Sequence, residues 1–183
     1  MTIRAFISVD LDRNERIVEF ATALKRAEPT LKVVDPSLIH ITLKFLGETD
    51  EKKLPAIAEA LREAVKGVPP FTISFKGAGA FPSMNRIRVV WVGVNDTLPL
   101  ATIAGRLDER LADLGITREA RPFAPHITLA RARSDAPQPS LRQIIHDHDG
   151  VDFGTQEIKA VRLKKSILTR CGPEYHTIEE VML

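Results

Sequence analysis

Two hydrophobic rhythms alternate along this chain, and together they predict short β-rich runs separated by amphipathic helices. Residues 3–9 (Ile-Arg-Ala-Phe-Ile-Ser-Val) read as a strand. Over 12–27, Ile17, Phe20, Ala21 and Leu24 recur at helical spacing among charges. Residues 38–46 return to alternation. Gly47 is expected to end that strand, and Thr49 or Asp50 to cap a helix running to about residue 66. Its apolar face is Leu54, Ile57, Ala58, Leu61 and Val65, and Pro69-Pro70 stops it. Strands follow at 71–76 and 86–94, joined by a loop over 77–85. A helix spans 98–114 and stops at Gly115. A strand at 126–131, a short helix near 140–147 and strands at 155–169 and 175–182 complete the chain, the last two parted by a turn at Cys171-Gly-Pro173. Short connections within 71–94 and 155–182 favour antiparallel pairing. The expected class is α+β: two pseudo-symmetric lobes with mostly antiparallel sheets, helices packed outside and a central cleft, residues 1–183 forming one two-lobed domain.

Two of these strands share a tetrapeptide: His40-Ile-Thr-Leu43 and His126-Ile-Thr-Leu129. A repeated four-residue word is expected by chance ~0.2 times in a chain this long, so the repeat alone is weak. Its content strengthens it. Residues i and i+2 of a strand share a face, so His40 and Thr42 point one way, as do His126 and Thr128. Ile41, Leu43, Ile127 and Leu129 point into a core. The copies lie 86 residues apart, near half the chain length. This suggests one dyad per lobe, with each half of the sequence supplying one lobe.

Composition narrows the classes. An apolar fraction of 44% and a charged fraction of 27% are those of an ordinary globular protein. The net charge of +2 permits a nucleic-acid partner without requiring one. Cys171 is the single cysteine, so no internal disulfide forms, in keeping with the cytoplasm. No run of 18 apolar residues spans a membrane, and the first ten residues lack a signal-peptide h-region. A monomer is expected.

Two histidines across a cleft can run two-sided proton transfer. One accepts a proton from water or an alcohol, and the other protonates a leaving alkoxide, both near neutral pH and without a metal. The threonine hydroxyls can hydrogen-bond an anionic group between them, and a phosphodiester fits that description. Lys44 shares the strand parity of His40, and Phe45 that of the core residues. Arg86, Arg88, Arg121, Arg131, Arg133, Lys164, Lys165 and Arg170 are candidates for a basic cleft. Other chemistry is thinner. His146-Asp-His-Asp149 has metal-like composition but no completing ligand. Gly77-Ala-Gly79 lacks the third glycine of a dinucleotide loop. Cys171 has no activating partner in sequence.

Four stretches carry a family resemblance: Ile3 to Leu11, His40-Ile-Thr-Leu-Lys-Phe-Leu-Gly-Glu48, Pro125-His-Ile-Thr-Leu-Ala-Arg131, and Ser166 through Gly172-Pro-Glu-Tyr175. They resemble the paired His-x-Thr-x motifs of the 2H phosphoesterase superfamily, nearest its RNA 2′,3′-cyclic phosphodiesterase (2′-5′ RNA ligase) branch. The resemblance implies a two-lobed fold and hydrolysis of RNA 2′,3′-cyclic phosphate ends to 2′-phosphomonoesters, with no cofactor. It implies that His40 is the general acid and His126 the general base. Thr42 and Thr128 would hold the non-bridging oxygens, with Arg131 near the phosphate. Strict alternation puts Arg131 opposite to His126, so it reaches the cleft only if the strand ends or bulges after Leu129. Three alternatives stay open: a non-catalytic RNA-end or nucleotide-binding module, a small cyclic nucleotide as substrate, and a 2′-5′ linkage. Tyr175 is a further candidate for substrate contact.

Overall fold

The computed structural model describes residues 1–133, 138–170 and 172–183. The strands among them form two antiparallel sheets. The first comprises β1 (Thr2–Asp10), β3 (His40–Asp50), β8 (Ala160–Thr169) and β9 (Gly172–Met182), in the order β3-β1-β8-β9. The second comprises β2 (Lys32–Val33), β4 (Phe71–Ser83), β5 (Arg86–Asn95), β6 (His126–Arg131) and β7 (Asp152–Ile158), in the order β2-β6-β5-β4-β7. Four α-helices accompany them among the described residues: α1 (Glu15–Ala27), α2 (Leu54–Val65), α3 (Leu98–Ala112) and α4 (Pro139–Asp147). The α+β class is therefore as expected.

The helices bury the stripes that their spacing predicts. Asn14 accepts the Ile17 N–H at 3.2 Å to start α1, whose Ile17, Phe20, Ala21 and Leu24 are buried. Asp50 does act as a cap, but of a 3₁₀ turn (Glu51–Lys53) that precedes α2. α2 and α3 pack together against the first sheet, and α1 and α4 pair beside the second. The helix before each dyad strand thus packs with the helix that follows the other one. A single connected cluster of buried side chains runs through both lobes.

Each sheet carries one dyad, but the lobes are not the two halves of the sequence. The first sheet draws on both ends of the chain, residues 2–50 and 160–182. The run 155–169 is also not one strand. Ile158 is buried in the second sheet, Lys159 crosses, and Ala160 begins β8 in the first. Gly47 does not end its strand. It adopts φ +68° inside β3, opposite Ala5, where Leu46 is an extra residue in the ladder. Residues 77–83 are strand rather than loop, because β4 pairs with β5 through a bulge after Phe75.

Candidate active site

The dyads sit on adjoining strands of the two sheets, since β3 and β6 are in contact. His40 lies opposite Asp10 of β1, and His126 opposite Gly93 of β5. Each ring is anchored alike. His40 Nδ1 lies 2.7 Å from the Leu38 carbonyl, and His126 Nδ1 lies 2.8 Å from that of Ala124. A carbonyl only accepts, so in each ring Nδ1 carries the proton and Nε2 is the nitrogen left for chemistry. Aromatic side chains hold both rings. Phe6 lies 5.1 Å from His40 and Tyr175 meets it edge-on at 5.3 Å. Phe81 meets His126 edge-on at 5.0 Å and leans on Trp91 at 5.4 Å.

Both strands bulge at the same place. The β1–β3 register jumps from Ser8↔Thr42 to Ile7↔Lys44, leaving Leu43 extra. The β5–β6 register jumps from Trp91↔Thr128 to Val90↔Ala130, leaving Leu129 extra. The pairs that follow, Leu43-Lys44 and Leu129-Ala130, are both buried. Side-chain parity inverts beyond each bulge. Arg131 therefore rejoins the face of His126, which is the condition under which it reaches the cleft. By the same inversion Lys44 does not share the face of His40. It is 2% exposed and turns to the helix side, where Nζ meets Asp108 Oδ1 and the Thr117 carbonyl, each at 2.7 Å. Phe45 is not core either: it is 47% exposed on the His40 face. Arg131 and Phe45 occupy equivalent positions in the two copies, as do Ala130 and Lys44.

Charge is distributed unequally between the dyads. Burial holds the His40 pKa below its ordinary value. The positive charges of Lys164 and Arg131 lower it further, against the Leu38 hydrogen bond and the Asp10 carboxylate. Lys164 is itself nearly buried and pairs with Asp10, which also meets Arg162 at 3.2 Å. Burial pushes the Tyr175 phenol up, opposed by Arg131 and Arg4. Arg131 belongs to the second sheet yet acts on two side chains of the first, so the faces of both dyads front one cleft.

A family model described as the 2′-5′ RNA ligase superfamily matches residues 14–165. The chain belongs to that superfamily. Among its curated relatives is an RNA 2′,3′-cyclic phosphodiesterase of Methanothermobacter thermautotrophicus, 36% identical, with 98% of each chain covered. One from Archaeoglobus fulgidus is 38% identical over 94% of this chain and 96% of its own. Among solved structures, a Thermus thermophilus protein superposes with a TM-score of 0.81 at 28% identity, covering 98% of this chain and 97% of its own. E. coli LigT complexed with 3′-AMP gives a TM-score of 0.79 at 26% identity, covering 100% and 99%.

Within this 2′-5′ RNA ligase superfamily chain, the remaining sequence candidates separate. Lys164 joins the His40 side, whereas Lys165 pairs with Ala5 on the opposite face of the sheet. Arg121, Arg133 and Arg170 are exposed. In the His146–Asp149 segment the His148 ring stacks on Phe20 at 4.2 Å, and its Nδ1 donates to the Ile144 carbonyl at 2.8 Å. Among the described residues no group of three or more His, Cys, Asp or Glu could hold a metal ion. Gly77-Ala-Gly79 lies in β4, and Gly79 is bare because Trp91 lies across it; a Cβ there would sit 2.2 Å from the indole. Cys171 lies outside the described residues. No described helix is long and apolar enough to cross a membrane. Sequence reasoning missed Asp10, Phe6, Phe81 and Trp91. Asp10 had a signal in the alternation of β1, which puts Phe6, Ser8 and Asp10 on one face.

Proposed function

We propose that this chain is an RNA 2′,3′-cyclic phosphodiesterase, opening the cyclic phosphate to a 2′-phosphomonoester with its two histidines. The observation that carries the reading is the matched pair of His-Ile-Thr-Leu strands, each anchoring its ring through Nδ1. The names of its relatives supply the substrate class. In this mechanism His126 Nε2 takes a proton from water as the water oxygen bonds to phosphorus. The bond from phosphorus to the 3′ oxygen breaks, and His40 Nε2 delivers a proton to that oxygen. Thr42 and Thr128 donate hydrogen bonds to the non-bridging oxygens, and Arg131 offsets the growing negative charge. The donor and acceptor then exchange protons with solvent.

His40 must be protonated to act as donor, yet its surroundings favour the neutral ring. The bound phosphodiester brings a negative charge that shifts His40 back towards the protonated form. Substrate binding thus favours the charged form of the donor. We further propose that residues 1–183 work as one two-lobed unit, a cytoplasmic monomer without cofactor, since each chain carries both dyads.

The test is product analysis with an RNA ending in a 2′,3′-cyclic phosphate. A 2′-phosphate product is expected, formed equally well in a chelator. His40→Ala and His126→Ala should each lower kcat by at least about a hundredfold, with far-UV circular dichroism unchanged. Near-normal turnover in either variant overturns the mechanism.

A further inference from the structure

The first sheet continues the dyad face well beyond His40, and what it presents there is suited to a nucleic-acid strand. Phe45 faces outward because of the Leu43 bulge and stands 47% exposed. The Arg4 guanidinium lies 5.0 Å from the centre of its ring, in cation–π geometry. Arg4 stands opposite Ser166 of β8, and Ser166 opposite Tyr175 of β9, so all three share that face. Leu168, two residues beyond Ser166, is 71% exposed at the end of the hairpin. Glu48 faces Arg4 across the ladder, but Arg4 is laid over Phe45.

Position and direction both follow from the register. His40 pairs with Asp10 and Phe45 with Phe6, so Phe45 lies four β1 residues from His40, or roughly 13 Å along the sheet. Tyr175, edge-on to His40 at 5.3 Å, is close enough to meet the nucleoside that carries the phosphate. The backbone at Phe45, roughly 13 Å from that of His40, is within reach of the neighbouring nucleotide. On the same face Asp10 lies opposite His40 and Glu180 level with Ser8, both tied to Arg162. Arg162 and Lys164 offset those carboxylates, and farther out Arg4 and the exposed rings favour a phosphate backbone. An exposed ring with a cation beside it is the arrangement that stacks successive bases without reading their sequence.

We infer that Arg4 and Phe45 form a subsite for the nucleotide preceding the cyclic-phosphate end, with the base on Phe45 and Arg4 near the backbone. The substrate is then an oligonucleotide whose body runs over β1 and β3 towards the β8–β9 hairpin. This inference rests on the proposed function for the position of the reacting phosphate.

The experiment compares a 2′,3′-cyclic mononucleotide with a trinucleotide ending in a 2′,3′-cyclic phosphate, in wild type, Phe45→Ala, Phe45→Leu and Phe45→Trp. Fluorescence anisotropy with a labelled trinucleotide 2′-phosphate measures binding without turnover. For the trinucleotide, KM and Kd should rise about tenfold in the Ala and Leu variants and recover in the Trp variant. Mononucleotide KM should stay within about twofold of wild type, since that substrate does not reach the ring. Arg4→Gln should lower the salt dependence of trinucleotide binding by about one unit of log–log slope. Equal wild-type KM for both substrates, or equal loss on both in Phe45→Ala, overturns the subsite. Turnover of neither substrate, with Kd still dependent on Phe45, would uphold the subsite and defeat the proposed function. Loss of both dependences would defeat both.

Discussion

At the scale of the residue, the nearly identical dyads differ most in the company His40 keeps. Two cations and burial hold its pKa down, while Asp10 opposes them. If His40 is the donor, kcat/KM falls as pH rises through its free-enzyme pKa. Lys164→Met removes a cation and frees the Asp10 carboxylate to act on the ring. The alkaline limb of the kcat/KM profile should therefore move to higher pH, and a limb that stays put would argue against the donor role. The same shift makes a stability statement. His40 binds its proton less readily folded than unfolded, so between its folded pKa and the ordinary value near 6.5 the unfolded chain holds more protons. Stability should decline as pH falls through that window, and His40→Gln should flatten the decline in urea titrations at about pH 7 and pH 5.

At the scale of the element, Lys44 couples the first dyad strand to the approach of the second. Asp108 on α3 accepts from Lys44 Nζ and from the Glu119 N–H at 2.9 Å, and so secures the segment that leads to His126. Asp108→Ala leaves the buried ammonium with only the Thr117 carbonyl and the more distant, exposed Glu119 carboxylate at 3.5 Å, and should cost about 3 kcal/mol. Lys44→Met leaves a carboxylate that is 23% exposed and still accepts from Glu119, and should cost nearer about 1 kcal/mol. The reverse order in chemical denaturation would contradict this account. Gly79→Ala drives a methyl into Trp91, which supports Phe81 and through it His126. A loss of about 1–3 kcal/mol is expected, accompanied by lowered turnover. Elements of this kind were only partly legible in the sequence. Helical spacing located α1, α2 and α3, and alternation put each His and Thr on one face. Parity beyond Leu43 and Leu129 was not legible, because a bulge is a property of the paired ladder and not of the strand that bears it. The adjacent apolar residues Leu129-Ala130 were the available signal on one strand. On the other, Lys44 masked it, since a lysine beside Leu43 reads as solvent-facing.

At the scale of the whole molecule, the lobes share one chain path twice over. The first sheet needs β8 and β9 to complete β1 and β3, and the second needs β7 beside β4. The 86-residue spacing of the dyads points to successive lobes. It misleads because strand pairing follows buried faces, not order in the chain. A fragment of residues 1–97 would leave β1 without β8 and α2 without α3. It should show no cooperative thermal transition by circular dichroism, whereas the full chain should unfold in one. A cooperative transition in the fragment would show that the halves fold independently after all.

The matched bulges make side-chain direction in β3 and β6 a matter of phase. A substitution at Leu43 or Leu129 alters packing but leaves the phase of the strand intact. Removing either residue would close the bulge and keep the pairs on both sides of it. Without Leu129, Thr128 would stay opposite Trp91 and Ala130 opposite Val90, so Ala130 would still face the interior and Arg131 the cleft; without Leu43, Lys44 would still face inward and Phe45 outward. Each dyad strand is thus one residue longer than its ladder requires, and a deletion there should cost buried packing while leaving every dyad side chain on its own face.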